Sequence, residues 1–336
     1  MRALAVSALL VGSFAAAAIP SASIAAGPHF AGGVDFSYND NVLGLSESRI
    51  QLFESGASPQ QFRIDSVDDF VTRLWLQGGV AFDETTVGAR LSVDRYVDNA
   101  IKSNEVMNLY LQHRVGWRDA LRGSYTWLRR GYAGELEDPA NPGVIESKFY
   151  DVHRFDTRFR HRFSDQWSLT PRLAGQLLLY DGGIDDPRTL GGAELGTAAG
   201  FDASEWLALA ADVELEWMRA PARLSSYDRS FWRLAIEAGP VLRFLDDRLV
   251  GSLKYRYARR AYTTNNSAAL DPIHRDRVDP AHHFDARLEY SWRIASAYLA
   301  YGRDDYSADI SGAGNLSEEE TSFTRNLVTI GLGVRY

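Results

Sequence analysis

The sequence predicts an all-β fold: a transmembrane antiparallel up-and-down β-barrel of about 14 strands, with short periplasmic turns and long extracellular loops. Three observations predict it. Apolar and polar residues alternate with a period of two over segments of about ten positions, as in Phe70-x-Thr72-x-Leu74-x-Leu76 and Phe284-x-Ala286-x-Leu288-x-Tyr290-x-Trp292. The connections between these segments alternate between tight and long. An aromatic on the apolar phase recurs beside every tight connection and at the chain end.

Met1-Arg2 supplies a small positive region, Ala3 to Ala18 an apolar stretch, and Ser23-Ile24-Ala25 a small-x-small cleavage site. This pattern predicts a secretory signal peptide over 1–26 and a barrel domain over 27–336. After residue 26 the longest strictly apolar run is Trp206 to Ala211, far short of the roughly 20 residues a membrane-spanning helix needs. The mean hydropathy of -0.25 does not argue against a barrel, because lipid-facing and lumen-facing residues cancel in any averaging window.

Along the mature chain, six tight polar connections are expected near 83–85, 118–120, 164–166, 202–205, 246–248 and 294–295. Seven longer ones, rich in Gly, Pro, Asn and Asp, fall near 39–66, 97–103, 133–146, 181–190, 220–228, 263–279 and 309–321. Together they delimit 14 strands, an even number that puts both termini on the short-turn side. Phe82, Trp117, Phe163, Trp167, Phe201, Phe244, Trp292 and Tyr336 lie beside the short turns or at the chain end, where amphipathic rings sit at headgroup level. The first long connection carries Leu52, Phe53 and Phe62, which need cover; this favours folding into the barrel as a constriction over capping it from outside. No second domain, heptad repeat or linker is expected, and no room remains for periplasmic helical repeats.

Composition excludes several classes of function. With no Cys, the chain has no disulfide framework, thiol nucleophile or thiolate metal site. Without Arg2 it holds 35 basic residues against 44 acidic ones, a balance that argues against a nucleic-acid partner. Three Met against 8 Trp, 16 Tyr and 16 Phe is a composition suited to strands.

If the apolar phase faces lipid, the opposite phase faces the lumen. Strands four to seven then contribute Arg114, Arg118, Arg122, Arg130, Arg154, Arg158, Arg160, Arg162 and Arg172, with Asp156 as their one acid. Acids gather further round, with Asp212, Glu214, Glu216, Glu237, Asp285 and Glu289 interleaved among Arg233, Lys254, Arg256 and Arg287. Such partial segregation sets a transverse field across a wet pore. The competing reading is an ion-pair lattice that braces a filled barrel. Nine arginines buried beside one acid would be costly, which favours water inside. Loop acids, including Glu135, Glu137, Asp185, Asp186 and Glu318 to Glu320, read as surface solvation.

A hydrolase is the rival from another class. His113, His153 and His161 fall on the lipid phase, where no catalytic triad forms. His274, His282 and His283 lie with Asp271, Asp279 and Asp285 near one end of a strand, and such a cluster is the one candidate for metal binding or acid-base work. Its spacing matches no metal or catalytic motif. The chain also lacks the His-x-Ser pair of barrel phospholipases and the paired-Asp with Asp-x-His pattern of barrel proteases, so neither cofactor nor metal is expected.

Two resemblances complete the reading. Val328, Ile330, Leu332, Val334 and Tyr336 alternate to an aromatic carboxy-terminus, which resembles the C-terminal signature of outer-membrane proteins. That implies the barrel-assembly machinery as a partner, together with outer-membrane lipid. The segment Val34-Asp35-Phe36-Ser37-Tyr38-Asn39-Asp40-Asn41-Val42 resembles the opening strand of the bacterial β-barrel porins of the type-2 group. The resemblance implies an outer-membrane barrel of porin kind and specifies neither substrate nor catalytic residue. The barrel half of surface-lipoprotein assembly modifiers has a similar strand count, though those proteins carry periplasmic repeats. The expected function is passive diffusion of small hydrophilic solutes with a slight anion preference. The alternatives are a closed barrel with a binding or assembly role, and an envelope hydrolase. Oligomeric state is not legible, because a lipid-facing strand and a subunit-facing strand look alike.

Overall fold

The computed structural model describes residues 27–56, 63–137, 144–221, 228–264, 266–267, 274–308 and 322–336. The expected signal peptide lies outside them. Fourteen antiparallel strands close into one barrel in sequence order: β1 Gly27–Asn39, β2 Asp69–Phe82, β3 Thr85–Tyr96, β4 Asn104–Val115, β5 Asp119–Glu137, β6 Ile145–Arg162, β7 Trp167–Tyr180, β8 Leu190–Asp202, β9 Leu207–Arg219, β10 Phe231–Phe244, β11 Leu249–Tyr262, β12 Val278–Trp292, β13 Ala295–Tyr306 and β14 Phe323–Arg335. The strand count is the one the alternation predicts, and all six tight connections are present, the second at 116–118 rather than 118–120. β14 closes the sheet on β1 in the register Val34↔Leu332, and Tyr336 exchanges both backbone hydrogen bonds with Phe30 at 2.8 and 2.9 Å. Closure leaves no unpaired strand edge in the hydrocarbon, where each unmet backbone group would cost several kcal/mol.

The outward phase is greasy along the whole sheet. Leu74, Leu76, Phe155, Leu173, Leu195, Leu299 and Ile330 are all exposed there. Seven of the eight girdle aromatics are exposed as well, and Phe201 packs against Trp167 with ring centroids 4.5 Å apart. Two-residue turns such as Asp83-Glu84 and Arg293-Ile294 place their first residue in the left-handed region, φ 49° and 51°, which matches the twist of a hairpin.

One long connection is shorter than expected. Residues 134–137 pair with 145–148, so β5 and β6 continue as a hairpin beyond the neighbouring strands. Glu135 holds it together, accepting hydrogen bonds from Tyr132 Oη at 2.9 Å and Ser147 Oγ at 2.5 Å. Register shifts at Leu128/Gly131 and Tyr132/Gly134 mark bulges in β5, and Arg130 takes φ 60° there.

The first long connection carries helix α1, Glu47–Glu54. Its apolar residues find cover within the loop itself: Leu43, Ile50, Leu52 and Phe53 pack on buried Leu45 and Ile64. Phe62 lies outside the described residues. The Asn-Asp run that ends β1 has a structural role. Asn41 donates to the carbonyls of Leu45 and Thr324 at 2.8 and 3.1 Å, while Asp40 accepts two 2.6 Å hydrogen bonds from Asn326. These bonds pin the start of the loop to β14. On the neighbouring connection a short 3-10 turn, Ala100–Lys102, directs the Lys102 ammonium to the Val42 carbonyl and toward the Tyr96 ring, 5.6 Å from its centroid.

Candidate functional site: the lumenal wall

With lipid-exposed residues fixing one phase of each strand, the other phase points inward. Arg114, Arg122, Arg154, Arg158, Arg160, Arg162, Arg172, Asp212, Glu214, Glu216, Glu237, Asp285 and Glu289 all stand on it. Two of the expected arginines do not. Arg118 belongs to the turn 116–118, its guanidinium 4.0 Å from the Trp117 ring centroid. Arg130 sits in the β5 bulge, where the extra residue breaks the alternation. Its guanidinium lies 4.9 Å from the ring of Phe149, a residue on the same phase as outward Phe155.

The arginine wall divides into a paired and an unpaired part. In the paired part, Asp156 binds Arg158 at 2.6 Å and Arg154 at 3.8 Å. Glu194 bridges Arg154 at 2.9 Å and Arg172 at 3.0 Å. Arg172 continues to Glu214 at 2.7 Å and Asp212 at 3.5 Å. Glu214 also takes Arg256 at 2.6 Å, and Arg233 holds Glu216 at 3.0 Å. This lattice crosses from β6 to β11. Sequence reasoning missed Glu194, the acid that joins its halves. The signal was present, since Leu195 beside it is outward. Arg172 reaches Glu214 only by lying across Gly196, where a Cβ would come within 2.8 Å of its Nη2.

The unpaired part is nearer the short turns. Among the described residues Arg122, Arg160 and Arg162 have no carboxylate within 4.0 Å, and Arg114 has only Glu84 at 3.8 Å. Arg122 and Arg158 are direct cross-strand partners, Ala120 opposes Arg160, and Arg114 opposes Ala120 from the other side. The other nearby acids are engaged elsewhere: Asp119 with outward His161 at 2.6 Å, and Asp202 with Arg243 at 3.1 Å. Two guanidinium ions about 6 Å apart repel by ~3 kcal/mol at an effective dielectric of about 20, and by under ~1 kcal/mol in bulk water. The cluster is therefore compatible with a hydrated wall and not with a dry one.

Burial grades the lumen in the same direction. Side-chain exposure is 38% for Arg158 and 36% for Arg114, against 4% for Glu194 and 7% for Arg256. Toward the long loops the inward phase becomes apolar, a feature the sequence reading did not foresee. Leu128, Tyr150, Val152 and Tyr180 form one buried cluster, Leu190, Met218 and Phe231 another, and Leu178 packs against both. Arginines lie over their aromatic rings, Arg188 at 5.3 Å from Tyr180 and Arg260 at 4.5 Å from Phe231.

The histidine cluster is dispersed by the same alternation. His282 points outward to Tyr255 Oη at 2.7 Å, whereas His283 points inward to Asp304 at 2.5 Å. His274 is buried beside Tyr262, and Asp271 lies outside the described residues. The described residues include no group of three His, Cys, Asp or Glu placed to hold a metal. His113, His153 and His161 face outward, where Thr85, Tyr125 and Asp119 bind them.

A closed, antiparallel, up-and-down sheet with an apolar exterior and a charged interior is an outer-membrane β-barrel, and this chain is one. No family model matches it, and no curated protein matches its sequence. Its fold is similar to that of solved outer-membrane channels. The deltaS2S3 mutant of the TodX monoaromatic hydrocarbon channel is 10% identical, with 93% of this chain and 90% of that one covered at a TM-score of 0.50. The outer-membrane channel DcaP of Acinetobacter baumannii is 11% identical over 94% and 99%, at 0.49. The anion-selective porin from Comamonas acidovorans is 8% identical over 93% and 99%, at 0.43. At such identities the likeness is one of fold.

Proposed function

We propose that this protein is an outer-membrane channel for passive diffusion of small hydrophilic solutes, with a preference for anions. The observation that carries the reading is the unpaired arginine wall on β4 to β6, exposed to the lumen, since charge lining a water-filled passage sets ion selectivity. The dispersal of the histidines across both faces of β12 favours a channel over a hydrolase. Reversal potentials of the refolded protein in planar bilayers under a KCl gradient test the proposal. Wild type is expected to prefer chloride, and Arg160→Glu/Arg162→Glu, which break no ion pair, to shift toward potassium with the barrel still folded. Cation preference in the wild type, or unchanged selectivity in the variant, removes the anion reading.

A second reading has its own support. The apolar belt near the long loops, covered by arginines, fills part of the lumen over β5 to β11 and fits a barrel closed at its outer half. Absence of conductance steps, together with absence of sugar flux into proteoliposomes, would favour this closed form.

A further inference from the structure

We propose that the short-turn half of the β4–β6 wall is a binding site for a multivalent oxyanion, a phosphate- or polycarboxylate-bearing solute, held by Arg122, Arg160 and Arg162, with Arg158, already paired to Asp156 at 2.6 Å, at its edge. The inference rests on the reading of the lumen as water-filled and names the class of anion it holds. Four features support it. Arg122 and Arg158 stand directly opposite each other on neighbouring strands, and Arg160 and Arg162 follow Arg158 at alternate positions. The Cα atoms that carry these arginines therefore repeat at about 5 Å across the sheet and about 7 Å along it. Ala120, with only a methyl group, lies between Arg114 and Arg160 and leaves the space in front of the wall clear.

The second feature is the missing counter-charge. The same barrel supplies carboxylates to the arginines of its lattice, Arg158 on the same strand included, but Arg122, Arg160 and Arg162 receive none among the described residues. Third, no group among the described residues hydrogen-bonds to Arg160, whose Nε is buried without a partner, so its outer guanidinium nitrogens are left for an oxyanion arriving from the lumen. Fourth, Arg122 is held by its own stack, 4.8 Å from the Tyr110 ring centroid, so its fork is oriented before any ligand arrives. Planar guanidinium forks match phosphate and carboxylate oxygens two at a time, and a ligand of several negative charges engages several forks at once. Chloride gains far less from such an arrangement.

The experiment is isothermal titration of inorganic tripolyphosphate and of citrate into the refolded full-length chain in detergent, with bilayer conductance recorded in parallel. Wild type is expected to bind, more weakly as salt is raised. Arg122→Gln/Arg160→Gln/Arg162→Gln should lose at least 30-fold in affinity. A charge-matched control on the outward face, Arg95→Gln/Arg129→Gln/Arg303→Gln, should stay within 3-fold of wild type. Preference between the two probes distinguishes a phosphate site from a polycarboxylate site. Equal binding by wild type and the lumenal variant, or no binding of either probe at low salt, overturns the proposal. The two readings fail separately. Anion-preferring conductance without probe binding leaves the channel and removes the site, whereas probe binding without conductance leaves the site and removes the channel. Arg160→Gln alone, which breaks no ion pair, keeps the test decisive if the triple variant does not refold.

Discussion

Replacing Glu194 by Gln removes the charge that joins the two halves of the lumenal lattice. The side chain is 4% exposed and bridges Arg154 at 2.9 Å and Arg172 at 3.0 Å. Deleting one partner of a buried ion pair costs about 3–5 kcal/mol, because the other charge is left uncompensated. Here the loss is smaller. Arg172 keeps Glu214 at 2.7 Å and Arg154 keeps Asp156 at 3.8 Å, so a destabilisation of about 2–3 kcal/mol is expected. Equilibrium unfolding in lipid vesicles, followed by tryptophan fluorescence, measures it. Arg160→Gln is the internal standard, since that guanidinium has no carboxylate partner, and it should cost under about 1 kcal/mol. A Glu194→Gln protein within about 0.5 kcal/mol of wild type, or an Arg160→Gln protein as unstable as it, would refute the division of the wall into a bracing part and a free part.

Two further outcomes follow from particular contacts. In Gly196→Ala the new Cβ would meet Arg172 Nη2 at 2.8 Å and displace it from Glu214, at a cost of about 1–3 kcal/mol. The part of that cost set by Arg172 should vanish in an Arg172→Ala background, leaving the 3.1 Å approach to the Val213 carbonyl oxygen, and full additivity in the double-mutant cycle would contradict the mechanism. Burial, with Arg325 adding repulsion, pulls the Lys102 ammonium down from its ordinary 10.5 to about 7. Between those values the unfolded chain holds a proton that the folded one has released, so stability rises with pH from about 7 toward 10.5, by at most ~1.4 kcal/mol per unit. Urea midpoints at pH 7 and pH 9 should show that rise in wild type and a flatter response in Lys102→Met. An identical slope in the two proteins would mean that Lys102 is not the titrating group.

The sheet was legible because a barrel writes itself in period two. Leu74, Leu76, Leu288 and Ile330 announce their phase whatever their neighbours do, and the tight connections announce the strand ends. What escaped was set by contacts between strands remote in sequence. Arg154 and Arg172 look unpaired until Glu194, on β8, is brought beside them. The inner apolar belt escaped for a related reason, since Leu128, Val152 and Met218 are ordinary strand residues whose direction is given only by neighbours. Arg130 was misplaced by one bulge, which reverses the side a residue faces without changing its composition. Leu52 and Phe53 needed cover, as their sequence indicates, but the loop supplied it locally.

The most direct test of a hydrated, charged interior behind a lipid-facing skin uses the absence of native cysteine. Single cysteines placed in turn at positions 154 to 162, spin-labelled and reconstituted in bilayers, report contact with dissolved oxygen from the lipid side and with a water-soluble nickel chelate from the aqueous side. Strict alternation is expected along β6: 155, 157, 159 and 161 quenched by oxygen, and 158, 160 and 162 by the chelate. Labels at 158, 160 and 162 that the chelate cannot reach would contradict it.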